Sequence, residues 1–206
     1  MHQTRKQSTP KLPIPRKGTQ YIARASSHTY DSVPAVIAIR DMLHLAKTSK
    51  EVEKMIMRKL LKINSRVVED LHESITLFSI LEAGKSYVLK LSPTRKFFFE
   101  ETKDNSGRLC KVIGKRLVKK GKIQFNLHDG SNVIADNKIK IGDSLYLDFS
   151  GKIKKHIPLE AGSQVFIIKG RYMGSEGKIA KIDEKKILVK FKDSQAVLGI
   201  ESIFVL

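Results

Sequence analysis

Between Gln164 and Ile182 an apolar run, Val165-Phe166-Ile167-Ile168, ends at Gly170. Two further glycines follow at Gly174 and Gly177, and alternation resumes at Lys178-Ile179-Ala180-Lys181-Ile182. An apolar run this short, bounded by glycine, has strand length, and the alternation after it has period two. The stretch therefore predicts two β-strands joined by a glycine-punctuated loop. Glycine permits positive φ and close approach of the backbone to a partner. Lys169, Arg171 and Lys178 flank these glycines. The loop is either a cationic mouth suited to a phosphate-rich surface or an ordinary hairpin with solvated lysines.

The apolar run, Gly170, Gly174, Gly177 and Ile179 resemble the KOW motif of ribosomal and transcription-associated proteins. That resemblance implies a small SH3-like barrel that docks on RNA or on protein, so the remainder of the chain has to choose the partner. Here composition matters: 39 Lys and Arg against 21 Asp and Glu leave a net charge of +18. Such an excess speaks of polyanionic partners and not of fold. Membrane is the weakest of them, because no apolar run approaches ~18–20 residues and Met1-His2-Gln3-Thr4-Arg5 lacks the apolar stretch of a signal peptide. A cytosolic chain is expected. The single cysteine, Cys110, excludes an intrachain disulfide and a cysteine-rich zinc site. It sits in the alternating stretch Arg108-Leu109-Cys110-Lys111-Val112, where a small buried strand residue is expected. The histidines are scattered, so no metal site is expected; no cofactor and no small-molecule substrate are expected either.

Residues 1–33 form the first of four expected segments, a basic extended N-terminal arm. Up to residue 30 it carries Arg5, Lys6, Lys11, Arg16, Lys17 and Arg24 and no acid, and Pro10, Pro13 and Pro15 break any helix. A segment of this kind orders against nucleic acid or serves as a solubilising tail. The second segment, 34–83, begins with Val36, Ile39, Leu43 and Ala46 at helical spacing behind Pro34. Thr48-Ser49-Lys50-Glu51 then has the spacing of a capping box, which opens a second helix with Lys50, Lys54 and Arg58 four apart on one face. Leu61-Lys62-Ile63 and Arg66-Val67-Val68 read as short strands around a turn at Asn64-Ser65, and Ile75–Leu81 as a strand closed by Gly84. This helix–helix–hairpin order resembles the small RNA-binding module shared by bacterial small-subunit protein four, tyrosyl-tRNA synthetases and pseudouridine synthases. Ser65 departs from it, since that family has glycine after the asparagine.

The third segment, 84–159, is a central β domain. Its strand candidates are separated by Gly121, Asp129-Gly130, Gly142 and Ser150-Gly151, a turn frequency that indicates a barrel-like unit. Of Phe97, Phe98 and Phe99, at least two are expected in a core. The basic run Lys115 to Lys120 is expected as a loop between strands. Segment 160–206 is the KOW barrel.

The order of basic arm, helical module, central β unit and KOW barrel resembles small-subunit ribosomal protein four of the archaeal and eukaryotic type. The stretch Gly121-Lys122-Ile123-Gln124-Phe125-Asn126-Leu127-His128-Asp129-Gly130-Ser131-Asn132 is similar to that family's central signature. Ile139–Ser144 and His156-Ile157-Pro158-Leu159-Glu160-Ala161-Gly162 match in order and spacing. The resemblance implies an α+β, mostly β protein with a small helical RNA-binding module, a central β-barrel-like unit and a C-terminal SH3-like KOW barrel. It implies a structural, non-enzymatic constituent of the small ribosomal subunit, bound to its ribosomal RNA and to neighbouring ribosomal proteins. The expected RNA contacts are Arg16, Lys17 and Arg24 in the arm; Lys54, Arg58, Lys62, Asn64 and Arg66 in the helical module; Lys119 and Lys120 centrally; and Lys169 and Arg171 in the barrel. The alternative is a KOW-bearing transcription elongation or termination factor. An RNA-modifying enzyme would need a catalytic domain for which the chain has neither room nor residues.

Overall fold

The computed structural model describes residues 1–103, 106–118, 122–135, 138–183, 186–191 and 194–206. They form two compact units, Met1–Ser106 and Gly107–Leu206.

In the first unit, β1 (His2–Thr4) pairs antiparallel with β2 (Tyr21–Ala23), so the expected extended arm instead folds back on itself. The prolines explain why. They remove amide donors and leave carbonyls that no helix or strand satisfies, and long cationic side chains meet those carbonyls. Arg5 donates Nε to the Thr19 carbonyl at 2.8 Å and Nη1 to the Pro15 carbonyl, while Lys96 Nζ donates to Pro10 and Leu12. Leu12 is buried under the loop so formed.

β3 (Ser32–Pro34) runs into α1 (Ala35–Ile37), which continues as a π-helical turn over Ala38–Met42. The longer helix expected to Ala46 does not form. Ala35 through Ile39 are all buried, leaving no solvated face, and His44 takes φ +54°. α2 (Ser49–Met57) is capped as expected: Thr48 Oγ1 accepts from the Glu51 amide at 3.3 Å and Glu51 Oε2 accepts from the Lys47 amide at 2.7 Å. β4 (Leu61–Ile63) and β5 (Arg66–Val67) form the expected two-residue hairpin.

Asn64 and Ser65 take φ +51° and +65°, the two positive values of a type I′ turn. Asparagine tolerates that region and serine pays for it sterically. Ser65→Gly is therefore expected to raise the unfolding free energy by about 0.5–1 kcal/mol in denaturant melts.

The strand expected over Ile75–Leu81 is two strands, β6 (Ser74–Thr76) and β7 (Ile80–Ala83), broken where Phe78 takes φ +62°. The break lets β6 pair with β3 while β7 enters the sheet β5-β4-β7-β8-β9, completed by β8 (Lys85–Leu91) and β9 (Phe97–Thr102). These last two strands therefore pair within the first unit. Phe97 is buried, Phe99 half-buried and Phe98 exposed.

The second unit opens with β10 (Arg108–Leu117), β11 (Ile123–Leu127), β12 (Asn132–Ala135), β13 (Ser144–Leu147) and β14 (Ile153–Ile157), a sheet in the order β12-β11-β10-β13-β14. Its core gathers Cys110, Val112, Phe125, Leu127, Leu145 and Leu147. Lys115, Arg116 and Leu117 are not a loop: they pair with Phe125, Gln124 and Ile123 as the end of β10. Asp129-Gly130 makes the expected turn, with Gly130 at φ +85° and Asp129 Oδ1 accepting from the Ser131 amide at 3.0 Å.

Five antiparallel strands follow, β15 (Gln164–Ile167), β16 (Glu176–Asp183), β17 (Lys186–Lys190), β18 (Gln195–Gly199) and β19 (Ile203–Val205), in the order β18-β17-β16-β15-β19. Their core is β-branched: Val165, Ile167, Ile179, Ile187, Val189, Ile203 and Val205. The α+β, mostly β class expected from the sequence holds.

Candidate nucleic-acid interface

α2 divides its residues by face. Val52 is fully buried, whereas Lys50, Lys54 and Arg58 follow one another on exposed ground. The helix stops in a tight motif in which the Lys59 amide donates to Ile56 at 2.8 Å and the Leu60 amide to Met55 at 3.1 Å, with Lys59 at φ +56°. That stop turns the chain directly into β4, where Leu61 and Ile63 point inward and Lys62 outward. Helix end, turn and strand thus carry Lys54, Arg58 and Lys62 in close succession. Among the described residues none of the three has a hydrogen-bonded or ion-paired side-chain partner, although Lys62 stands opposite Glu82 across the β4–β7 pair.

Other cations nearby are already neutralised. Arg40 forks onto Asp41 and donates to Ser49 Oγ at 2.9 Å; the Asp41 bond raises its already high pKa. Arg66 is ion-paired with Glu73. Asn64, expected as a contact, holds the turn: its Oδ1 accepts from the Ile80 amide at 2.9 Å and its Nδ2 donates to Ser79 Oγ at 3.3 Å. Arg16, Lys17 and Arg24 are exposed on the folded-back arm. Lys119 and Lys120 lie outside the described residues.

In the barrel, Lys169 and Arg171 are exposed on the β15–β16 loop, around Gly170 at φ +90°. Gly174, at φ +84°, donates its amide to the Ile167 carbonyl at 2.8 Å, and Tyr172 stacks on Phe191 with ring centroids 4.8 Å apart.

Sequence reasoning missed Lys111, which sits beneath this loop. It is 3% exposed, and its Nζ donates to the carbonyls of Ile200 and Ile203, both at 2.6 Å. The Ser202 carbonyl, in the same turn, accepts from the Ile168 amide at 2.8 Å, next to Lys169. No signal in the alternating stretch Leu109–Val112 marked that lysine as inward-facing.

Burial lowers the pKa of Lys111 to about 8, Lys169 adds to the fall and Glu201 opposes it. Unfolded, a lysine keeps its proton to about pH 10.4. A depressed folded-state pKa contributes stability that is present above the unfolded value and lost as pH falls through the folded one. The Lys111 contribution to folding stability is therefore expected to grow between about pH 8 and pH 10, against the opposite contribution of the raised Cys110 thiol, and it is read as the difference between the parent and Lys111→Met in urea melts at matched pH.

Cys110 is buried, and desolvation pushes its thiol up to about 12, so it is inert. No cluster of three metal-ligating side chains occurs among the described residues, and no helix is long and apolar enough to cross a membrane.

The sequence model of the family described as "Ribosomal family S4e" matches residues 83–153, and the KOW motif matches 161–192. The chain is similar to the small ribosomal subunit protein eS4 of Archaeoglobus fulgidus, 30% identical over 185 residues, covering 87% of this chain and 79% of that one. It is likewise similar to the protein of the same name from Pyrobaculum aerophilum, 33% identical over 184 residues, covering 82% and 77%. Among solved structures, the crystal structure of the 30S ribosomal protein S4e from Thermoplasma acidophilum superposes with a TM-score of 0.74 at 26% identity, covering 85% of this chain and 95% of that one.

Proposed function

The chain belongs to the ribosomal S4e family and is a structural constituent of the small ribosomal subunit; on that premise we propose that it holds folded ribosomal RNA through the phosphate backbone. The observation that carries this is charge without compensation. Lys54, Arg58, Lys62, Arg16, Lys17, Arg24 and Lys169 are exposed with no side-chain ion-pair partner among the described residues, in a chain of net charge +18. Cations so placed displace condensed counterions from phosphates, and folded RNA is met largely through its shape and backbone. Arg171 adds to the barrel surface, Arg66 reaches a phosphate only by sharing its charge with Glu73, and Lys119 and Lys120 extend the basic end of β10 in sequence. Asn64 serves by fixing the hairpin that presents Lys62.

Neighbouring ribosomal proteins complete the surroundings, and the place of action is the ribosome in the cytoplasm. The role is structural, with no chemistry assigned to it. The transcription-factor alternative is not favoured by relatives such as those of Archaeoglobus fulgidus and Pyrobaculum aerophilum, which are named as small-subunit proteins.

The test is footprinting of the full chain on small-subunit ribosomal RNA with two probes, hydroxyl radicals for the sugar–phosphate backbone and dimethyl sulfate for base edges. Protection concentrated on the sugar–phosphate backbone supports the proposal. Absence of any protection, or protection only of base edges, rejects it.

A further inference from the structure

The loop that Arg5 closes surrounds a cavity of about 440 Å³. Four cations line it, Arg5, Lys6, Arg16 and Lys96, and no carboxylate does. Arg5 and Lys96 are held by the backbone carbonyls of Pro15, Thr19, Pro10 and Leu12. A carbonyl accepts their hydrogen bonds without cancelling their charge. Lys6 and Arg16 have no side-chain partner among the described residues. Of the rest of the wall, Pro10, Leu12, Ile14 and Pro15 are apolar, and Ser8 and Thr9 add hydroxyls.

An apolar wall beside uncompensated cations is the chemistry of a nucleotide: a flat base for the one, a phosphate for the other. Inorganic phosphate alone leaves the apolar wall without a partner, and the volume lies in the roughly 300–1,000 Å³ range of small-ligand sites. RNA offers unstacked nucleotides at its loops and bulges. The exposed Lys17 and Arg24, in a segment that has no acid before Asp31, supply charge for the phosphates on either side.

We propose that the cavity receives one unstacked nucleotide of a folded RNA, its base against Pro10, Leu12 and Ile14 and its phosphate among Lys6, Arg16 and Lys96. This rests on the RNA-binding function above and names a site that function does not require. The pinned pair, Arg5 and Lys96, keeps the site preformed, so the nucleotide enters without first ordering the loop.

The experiment uses the full chain and two RNA hairpins of equal length, one with a single bulged 4-thiouridine and one fully paired with the 4-thiouridine in its stem. The expected photo-crosslink is to residues 5–17 and forms with the bulged hairpin only. Combining Lys6→Gln with Arg16→Gln is expected to reduce affinity for the bulged hairpin about tenfold more than for the paired one. Adenosine 5′-monophosphate is expected to suppress the crosslink at lower concentration than inorganic phosphate does. Equal losses on both hairpins, crosslinks outside residues 5–17, or equal competition by phosphate each overturn the nucleotide site while leaving backbone binding intact. Tighter binding of the free mononucleotide than of the bulged hairpin assigns the cavity to a soluble ligand and overturns the RNA assignment. Failure of the unaltered chain to bind either hairpin overturns both the site and the function it rests on.

Discussion

Replacing Arg58 and Lys62 together by glutamate is expected to lower affinity for small-subunit ribosomal RNA about a hundredfold and to flatten its dependence on salt. Both side chains are exposed without a side-chain partner among the described residues, so their charge is available to phosphates. Reversal removes two favourable contacts and places two repulsive charges on the same ground. Phosphate contacts carry no sequence information directly, so the loss should be similar for RNA segments of different sequence. Lys62→Glu also sets a like charge opposite Glu82 across the β4–β7 pair, which costs a few tenths of a kcal/mol of fold stability on the order of other cross-strand pairs. The glutamine pair, Arg58→Gln with Lys62→Gln, separates the two effects. It should lose affinity by a smaller factor with the thermal melt unchanged. Filter binding of both double variants at fixed salt measures this; unchanged affinity in the glutamate pair would remove the helical module from the interface.

Gly177→Ala is expected to destabilise the second unit by about 2–3 kcal/mol, within the range of overpacked cores. A Cβ built at Gly177 lies 2.6 Å from Val189 Cγ1, 2.9 Å from the Lys190 carbonyl oxygen and 3.3 Å from Phe191 Cδ1. Val189 is fully buried in the barrel core, and the Lys190 carbonyl belongs to the backbone of β17. Neither can yield without moving the β16–β17 pair. The neighbouring Gly170 is a different case: its Cβ would meet nothing within 4 Å, but its φ of +90° makes any side chain strained. Gly170→Ala should therefore cost less, near the 1–2 kcal/mol of a left-handed non-glycine residue. Urea unfolding of the two variants against the parent gives the order directly, and a smaller loss for Gly177→Ala than for Gly170→Ala would contradict the packing account.

Local chemistry was legible in the sequence wherever a short spacing dictated it. Thr48 and Glu51 announce the cap of α2, Asn64-Ser65 the two-residue hairpin, and the glycines after Ile168 the β15–β16 loop; each depends on residues a few positions apart. What was not legible depends on partners distant in the chain. The arm folds back because Arg5 reaches the carbonyls of Pro15 and Thr19 and Lys96 those of Pro10 and Leu12, and nothing near residue 5 predicts either contact. The mostly apolar stretch from Ile75 to Leu81 reads as one strand, yet Phe78 turns it so that its halves serve two sheets. The candidate site divides the same way. Exposed cations at helical spacing could be picked out from pattern, as Lys54 and Arg58 were. Which arginines are neutralised could not, because Arg66 meets Glu73 only after the chain has turned. Lys111 could not be found at all, since its acceptors lie some ninety residues on.

The central claim is that uncompensated cations hold folded RNA by its phosphates, and the salt dependence of binding tests it most directly. Affinity of the full chain for small-subunit ribosomal RNA, measured from low to physiological salt and plotted as logarithm against logarithm, should fall along a straight line. Its slope should reflect several released counterions, roughly 0.7–0.9 per phosphate neutralised. A slope near zero, with tight binding that ignores salt, would contradict the account.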